Sequence, residues 1–239
     1  MAMLEVSNVT KSYERLEVLK KLSFTVEKND ALAIIGPSGS GKSTMLRSVV
    51  NLETIDDGTI SVCGEDLVKD GVYSSTKQIK KITSKMGMVF QSFHLFPHLT
   101  VKENLELAPK LAKKASSPEI EKKSRELLEK MGLGDWALMY PGKLSGGQKQ
   151  RLTIARALLK KPKILIFDDS TSAVDTKTDS LIRQAIRDEI PDTTKLIIAQ
   201  RVSSVMDADK IIVMENGKID AIGTHEELLE NNQIYQEVY

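Results

Sequence analysis

Short apolar or alternating runs along the chain predict strands at Leu4–Val9, Leu22–Val26, Ala31–Ile35, Thr59–Val62 and Met86–Phe90. A helix over Thr44–Leu52 fits between the third and the fourth. From Val101 to Met131 the pattern changes to Leu, Lys and Glu at helical spacing, interrupted by Pro109 and by Ser116-Ser117-Pro118, where serine can cap a new helix. A helix then runs from about Gly146 to Lys160, followed by a buried strand Lys163–Asp168, a helix Thr176–Glu189 and a strand Thr194–Ala199. Asn216-Gly217 between Ile211–Met214 and Lys218–Ile222 predicts a two-residue hairpin, and Thr224 opens a short terminal helix. Strands alternating with helices predict an α/β fold, with a helical lobe inserted between the halves of the sheet.

A length of 239 residues with 41% hydrophobic content is enough for one large domain or two lobes. Lys and Arg number 34 against 33 Asp and Glu, so charge balance makes no case for nucleic acid or an anionic membrane. The lysine groups around 77–85 and 110–114 read as solvated helix faces. Cys63 is the single cysteine, most simply a small strand residue in a reducing compartment. No run approaches the ~18 apolar residues of a membrane span, and the first residues lack the build of a signal peptide. The expected location is cytoplasmic, with any membrane service performed from outside the bilayer.

The chemistry concentrates in Gly36-Pro37-Ser38-Gly39-Ser40-Gly41-Lys42-Ser43-Thr44, which satisfies G-x-x-x-x-G-K-[ST] at every fixed position, after a strand and before a helix. Glycines let backbone N–H groups curl around phosphates at a helix N-terminus whose dipole favours anions. Lys42 is expected to reach the β- and γ-phosphates, and the Ser43 hydroxyl to help hold Mg²⁺. Ile164-Leu165-Ile166-Phe167-Asp168 is the form in which a buried parallel strand delivers a carboxylate to the end of a sheet. Asp168 is therefore the Mg²⁺-side candidate, a turn or helix cap being the alternative role for a strand-closing aspartate. Between them, Leu144-Ser145-Gly146-Gly147-Gln148 opens a basic helix with free N–H groups and no blocking side chain, suited either to a plain cap or to phosphate.

In this order the motifs resemble the nucleotide-binding domain of an ATP-binding cassette (ABC) transporter, with Gly36–Thr44 as Walker A, Leu144–Gln148 as the signature motif and Ile164–Asp168 as Walker B. The resemblance covers essentially the whole chain. It implies a P-loop NTPase with a RecA-like core, an N-terminal antiparallel β subdomain and an inserted helical subdomain: one domain over 1–239, with a core lobe of 1–91 and 162–239 and a helical lobe of 92–161. It also implies that Gly36, Ser38, Gly39, Ser40, Gly41, Lys42, Ser43 and Thr44 hold ATP and that Ser43, Gln91 and Asp168 serve Mg²⁺. Tyr13 would stack on adenine, its alternative being a packed edge-strand tyrosine, and Gln91 would stand near the attacking water. Asp175 would lie at a subunit interface, its alternative being a helix N-cap. Two such domains sandwich two nucleotides head to tail, so Ser145, Gly146, Gly147 and Gln148 of one subunit complete the site of the other, and closure of a homodimer or heterodimer drives transmembrane partner subunits. Any attachment to the inner face of the plasma membrane would run through those partners.

Two positions depart from the family pattern. Asp169 stands where the family has a catalytic glutamate, and Gln200 where it has a histidine. An aspartate is shorter by one C–C bond, about 1.5 Å, and a displacement of ~1 Å can lower a rate ~100-fold. Glutamine can donate to a γ-phosphate but cannot take up a proton. Hydrolysis is therefore expected to be slow, with Asp169, Gln200 and Gln91 as the catalytic set. These departures, with Phe167–Asp175, Ala199–Val202 and Gly223–Leu228, resemble the degenerate half of heterodimeric exporters, whereas Met88–Thr100 and Tyr140–Ser145 resemble polar-amino-acid importer ATPases. This wording reads as a mosaic, importer-like to about the signature helix and exporter-like beyond it, which an engineered chimera explains most simply; the alternative is a divergent natural importer subunit. The rival functions are an ATP-binding module without useful catalysis and a cassette ATPase acting on nucleic acid, the second disfavoured because it usually carries long coiled-coil inserts or two cassettes.

Overall fold

The structure, a computed structural model, describes residues 2–90, 92–112, 116–168, 193–199, 202 and 205–238. Two sheets organise it. Strands β1 (Ala2–Tyr13), β2 (Leu16–Glu27), β4 (Asp57–Val62), β5 (Glu65–Lys69) and β6 (Val72–Tyr73) form an antiparallel sheet in the order β2-β1-β4-β5-β6. Strands β3 (Ala31–Ile35), β7 (Met86–Val89), β8 (Ile164–Asp168), β9 (Thr194–Ile198), β10 (Lys210–Glu215) and β11 (Lys218–Gly223) form the second, in the order β11-β10-β3-β9-β8-β7. Its pairs are parallel except for the β10–β11 hairpin.

The central strands are near-continuous apolar runs because both faces of this sheet are covered. Alternation sorts their side chains. Leu32 and Ile34 of β3 and Ile164 and Ile166 of β8 join a core with the antiparallel sheet and helix α1 (Lys42–Val49). On the other face Leu165 and Phe167 pack with a helical layer, and Ala33 and Ile35 pack with Leu228 and Tyr235 of the two terminal helices His225–Asn231 and Gln233–Val238. The helical layer comprises α3 (Val101–Ala112), α4 (Ser117–Lys130) and α5 (Gly146–Leu158), mutually packed, while α2 (Thr76–Thr83) lies against β5.

Most predicted elements are present with longer or shifted ends. The strand expected at Leu4–Val9 runs from Ala2 to Tyr13, and the helix expected at Thr44–Leu52 spans Lys42–Val49. Pro109 does not interrupt the helical stretch: it sits inside α3, where proline's fixed φ is compatible with helix and one backbone hydrogen bond is forgone in the last turn. Helix α4 begins at Ser117, one residue before Pro118, and Ser116 at its N-cap makes no side-chain cap bond. Thr224 does cap its helix, in a reciprocal box with Glu227. The predicted helix Thr176–Glu189 lies outside the described residues.

Candidate functional site

Strand β3 lies at the centre of the parallel sheet and delivers Gly36 at its C-terminal end, where the chain turns into the loop before α1. Two glycines are fixed there by close backbone approach. A Cβ on Gly36 (φ +144°) would stand 2.0 Å from the Met214 carbonyl oxygen of β10, and one on Gly41 (φ +97°), the α1 N-cap, 2.8 Å from the Val18 carbonyl oxygen of β2. Gly39 (φ +83°) differs, since its Cβ would meet nothing within 4 Å. The inner side of the loop is thus walled by two sheets, while Pro37, Ser38 and Gly39 are exposed. The wall is tied by backbone bonds: the Gly217 N–H of the β10–β11 turn donates to the Ser40 carbonyl (3.2 Å), and the Gly217 carbonyl accepts from the Lys20 N–H (2.8 Å).

Lys42 is buried, and its ammonium donates to the carbonyls of Gly36 and Pro37 (2.8 Å each) and to the Ser40 hydroxyl (3.3 Å). These bonds hold the cation at the mouth of the loop and close its turn. Asp168 ends β8, two strands from β3, so both reach the same C-terminal edge of the sheet. The Ser43 side chain lies close to the Asp168 carboxyl. Burial pushes that carboxyl above its ordinary pKa, opposed by the nearby Arg47 charge and by the Ser43 hydroxyl. Ser43 and Arg47 share a face of α1 at i, i+4. Among the described residues no cluster of three or more His, Cys, Asp or Glu could hold a metal on its own. One carboxylate with one hydroxyl suits Mg²⁺, which keeps several waters and shares phosphate oxygens instead of demanding an all-protein cage. The donor set and the open side at Gly39 therefore fit a Mg²⁺-nucleoside triphosphate.

Tyr13, at the end of β1, is 43% exposed and neighbours the start of α1, with the side chains of Glu53 and Thr44 close to its hydroxyl. Burial of the phenol and then Glu53 raise its pKa. The Lys11 ammonium stands 5.2 Å from the ring centroid and 3.5 Å from carboxylate oxygens of Glu53 and Asp56. An anchored ring with an open flank beside the loop is a stacking surface.

Ser145, Gly146, Gly147 and Gln148 form the start of α5 in the helical layer, and α5 packs on β7, α3 and α4. Ser145 caps the helix, its hydroxyl accepting from the Gln148 N–H (3.3 Å) while the Gln148 side-chain oxygen accepts from the Ser145 N–H (2.8 Å). Ser145 and Gly146 are exposed. Gly36–Thr44, Tyr13 and Asp168 thus come together around α1, while the signature residues belong to a separate helix start. Gln91, Asp169, Asp175 and Gln200 lie outside the described residues. Sequence reasoning does not single out Arg47, Glu53, Val18 or Met214, and it marks Gly217 only as a hairpin turn; of the first four only Arg47 carries a usable signal, its helical spacing from Ser43.

A glycine loop at the C-terminal edge of a parallel sheet, a buried lysine and a paired hydroxyl and carboxylate define a P-loop nucleotide-binding protein. The profile of the ABC transporter family matches residues 19–172, and the chain belongs to that family. It is an ABC ATPase, an enzyme that couples ATP hydrolysis to transport. It is 41% identical over 228 residues to the probable amino-acid ABC transporter ATP-binding protein y4tH of Sinorhizobium fredii, covering 92% of this chain and 89% of that one. It is also 41% identical over 237 residues to the arginine transport ATP-binding protein ArgV of Corynebacterium glutamicum, covering 96% and 93%. The fold matches the dimeric post-hydrolysis structure of the ATP-binding cassette MJ0796 bound to ADP and Pi, with a TM-score of 0.83, 31% identity, and coverage of 93% of this chain and 98% of that one. No helix among the described residues is long and apolar enough to cross a membrane.

Proposed function

We propose that this chain is the ATP-binding subunit of an amino-acid importer, binding Mg-ATP and pairing head to tail with a second such domain. The observation that carries the reading is the walled Gly36–Thr44 loop with Lys42 at its mouth and Ser43 close to Asp168. The substrate class comes from relatives named for amino-acid or arginine transport that align with more than nine-tenths of the chain. Similarity to importer subunits therefore continues through the exporter-like second half, and a divergent importer subunit is a simpler origin than a mosaic.

In this reading the loop amides and Lys42 grip the triphosphate, Tyr13 stacks on the base, and Ser43 and Asp168 hold Mg²⁺, with Gln91 beside them. Magnesium, when bound, neutralises charge on the phosphates and orients them for attack by water. The exposed start of α5, with Ser145, Gly146 and Gly147, meets the partner's nucleotide, an anion suited to the dipole and the Gly146 and Gly147 N–H groups of a helix N-terminus. Asp175 stands at the subunit junction. A groove of about 350 Å³ beside β7, lined by Met86, Met88, Phe90, Phe96, Leu107 and Arg156, is the seat for a cytoplasmic segment of the transmembrane subunit. The core lobe (1–91 and 162–239) and helical lobe (92–161) are the bodies that move on closure.

Asp169 and Gln200 make turnover slow, because the first falls short of the water and the second cannot carry the proton. The test combines phosphate release with the ATP-dependent mass of the chain. Residual release above a Lys42→Ala control and a doubled mass in Mg-ATP support the reading. The double variant Asp169→Glu, Gln200→His is expected to raise kcat by about 10- to 100-fold. Unchanged turnover with ATP affinity retained would refute this account of the slow site, and a chain that binds no ATP would refute the whole reading.

A further inference from the structure

A second cavity, of about 420 Å³, opens where the ends of α2, α3 and α5 meet the first turns of α4. Its size is that of a small-molecule site. The wall is apolar, made by Met86 at the start of β7, by Ala108, Pro109 and Ala112 on one flank of α3, by Ile120 of α4 and by Leu159 just after α5. The backbone around it is fixed. The Lys160 and Lys161 N–H groups donate to the Ala157 (3.4 Å) and Leu158 (2.8 Å) carbonyls, Lys161 takes a left-handed φ of +49°, and the Lys163 N–H donates to the Lys85 carbonyl (2.7 Å) beside β7. The polar groups at the rim are one-sided. The Thr83 and Ser84 hydroxyls already donate to carbonyls of their own helix, those of Ile79 (2.9 Å) and Lys81 (2.7 Å). The remaining donors are ammonium groups: Lys123, bonded to Glu119 (2.7 Å), and Lys160 and Lys161, neither of which has a salt bridge among the described residues. The Glu119 carboxyl is held below its ordinary pKa first by Lys123 and, at longer range, by Lys161. Three ammonium groups thus face one neighbouring carboxylate, and among the described residues no acid lines the cavity itself.

We propose that this cavity binds an apolar carboxylate, a single acyl chain lying on the Met86, Pro109, Ile120 and Leu159 surface with its anionic head at the Lys160 and Lys161 ammonium groups. The donors decide the class. A lysine ammonium offers hydrogens and no acceptor, so the head of the ligand has to supply acceptors, and negative charge strengthens those bonds. An amino acid fits poorly, because its α-ammonium would meet lysines with no acid to pair it. An inorganic anion would leave the apolar wall uncovered, and a hydrocarbon would leave the lysines to water. The cavity adjoins the groove beside β7, with Thr83, Met86, Ala108 and Lys160 common to both walls. An occupant therefore sits next to whatever fills that groove.

The experiment is methionine-methyl NMR on the full chain, the Met86 signal assigned through Met86→Leu, in titrations with butanoate, hexanoate, octanoate, octanol and octylammonium. Octanoate is expected to shift the Met86 signal saturably, and each added pair of methylenes from butanoate to octanoate to tighten binding about 15-fold. Octanol should bind about tenfold more weakly than octanoate, and octylammonium should leave the signal in place. The double variant Lys160→Gln, Lys161→Gln, at two exposed positions, should weaken octanoate about tenfold and leave octanol unchanged. Should that variant not fold, the chain-length series and the octylammonium control decide. Vesicles of a two-chain anionic phospholipid are expected not to move the signal, which separates a free acyl anion from a membrane surface. The proposal is overturned by an unmoved Met86 signal in octanoate, by movement confined to Met88, which lines only the neighbouring groove, by equal affinity for octanoate and octanol, by a folded double variant that binds octanoate like the parent, or by vesicles that shift Met86 where octanoate does not.

Discussion

Gly36 and Gly39 separate the loop's support from its working face. A Cβ at Gly36 would lie 2.0 Å from the Met214 carbonyl oxygen, and ordinary contact begins near 3.4 Å, so about 1.4 Å of space has to open between β3 and β10. The Met214 carbonyl is backbone of β10, which pairs with β3, and Gly36 directly follows β3, so neither can rotate aside. Left-handed strain of ~1–3 kcal/mol and forced displacement of a packed backbone, ~1–3 kcal/mol, together give ~2–6 kcal/mol. That is a large part of a typical stability of ~5–15 kcal/mol. A loop shifted by more than 1 Å also loses its aim, by ~100-fold in a function that depends on it. At Gly39 the same methyl meets nothing within 4 Å, which leaves only the backbone term of ~1–2 kcal/mol at φ +83°. The methyl nevertheless occupies the open side assigned to the triphosphate. Urea unfolding and equilibrium dialysis against Mg-ATP separate the cases. Gly36→Ala is expected to lose stability and ATP retention together, Gly39→Ala to stay folded and bind ATP ~100-fold more weakly. If folded Gly39→Ala retains ATP within about twofold, or Gly36→Ala unfolds at the same urea concentration as the parent, the division of labour is wrong.

The Asp168 carboxyl and the Tyr13 ring give two further tests. A carboxyl whose pKa is raised in the folded chain contributes stability that is complete below its ordinary value of 3.8 and is lost as pH rises through the raised value. Mg²⁺ requires the ionised form, so the magnesium-dependent part of ATP binding should decline on acidification at a higher pH than for an exposed aspartate. Calorimetric titrations between about pH 4 and pH 8 check this, and Asp168→Asn should abolish the magnesium dependence without lowering the nucleotide-free melting temperature at neutral pH. Tyr13→Ala should weaken ATP binding by the ~1–3 kcal/mol of one stacked base, about 5- to 150-fold, with inorganic triphosphate unaffected, and Tyr13→Phe should keep most of the affinity; equal weakening for triphosphate would remove the stacking role.

What could be read from the chain follows how local each requirement is. The Gly36–Thr44 loop was legible because each residue type answers a need within nine consecutive positions, and β3 and β8 because burial on two faces leaves unbroken apolar runs. The full length of β1 and β2 was not, since each has one exposed face carrying Lys, Glu and Ser, and left-handed residues at Asn8 and Lys21 break the alternation. The block β5, β6 and α2 escaped for the same reason: its apolar positions are few, and it is held partly by Lys81 and Lys85 meeting Glu65 across different elements. The clearest gap is in the site itself. Why Gly36 and Gly41 must be glycine depends on Met214 and Val18, nearly two hundred residues apart in the chain, and the seal at Ser40 on Gly217 of a hairpin whose turn was predicted but whose neighbour was not. The glycine pattern therefore announces a ligand on the loop's outer face while its inner face is set by two other strands. A substitution on either inner strand that moves a carbonyl by a fraction of an ångström should accordingly act on ATP binding without touching the motif.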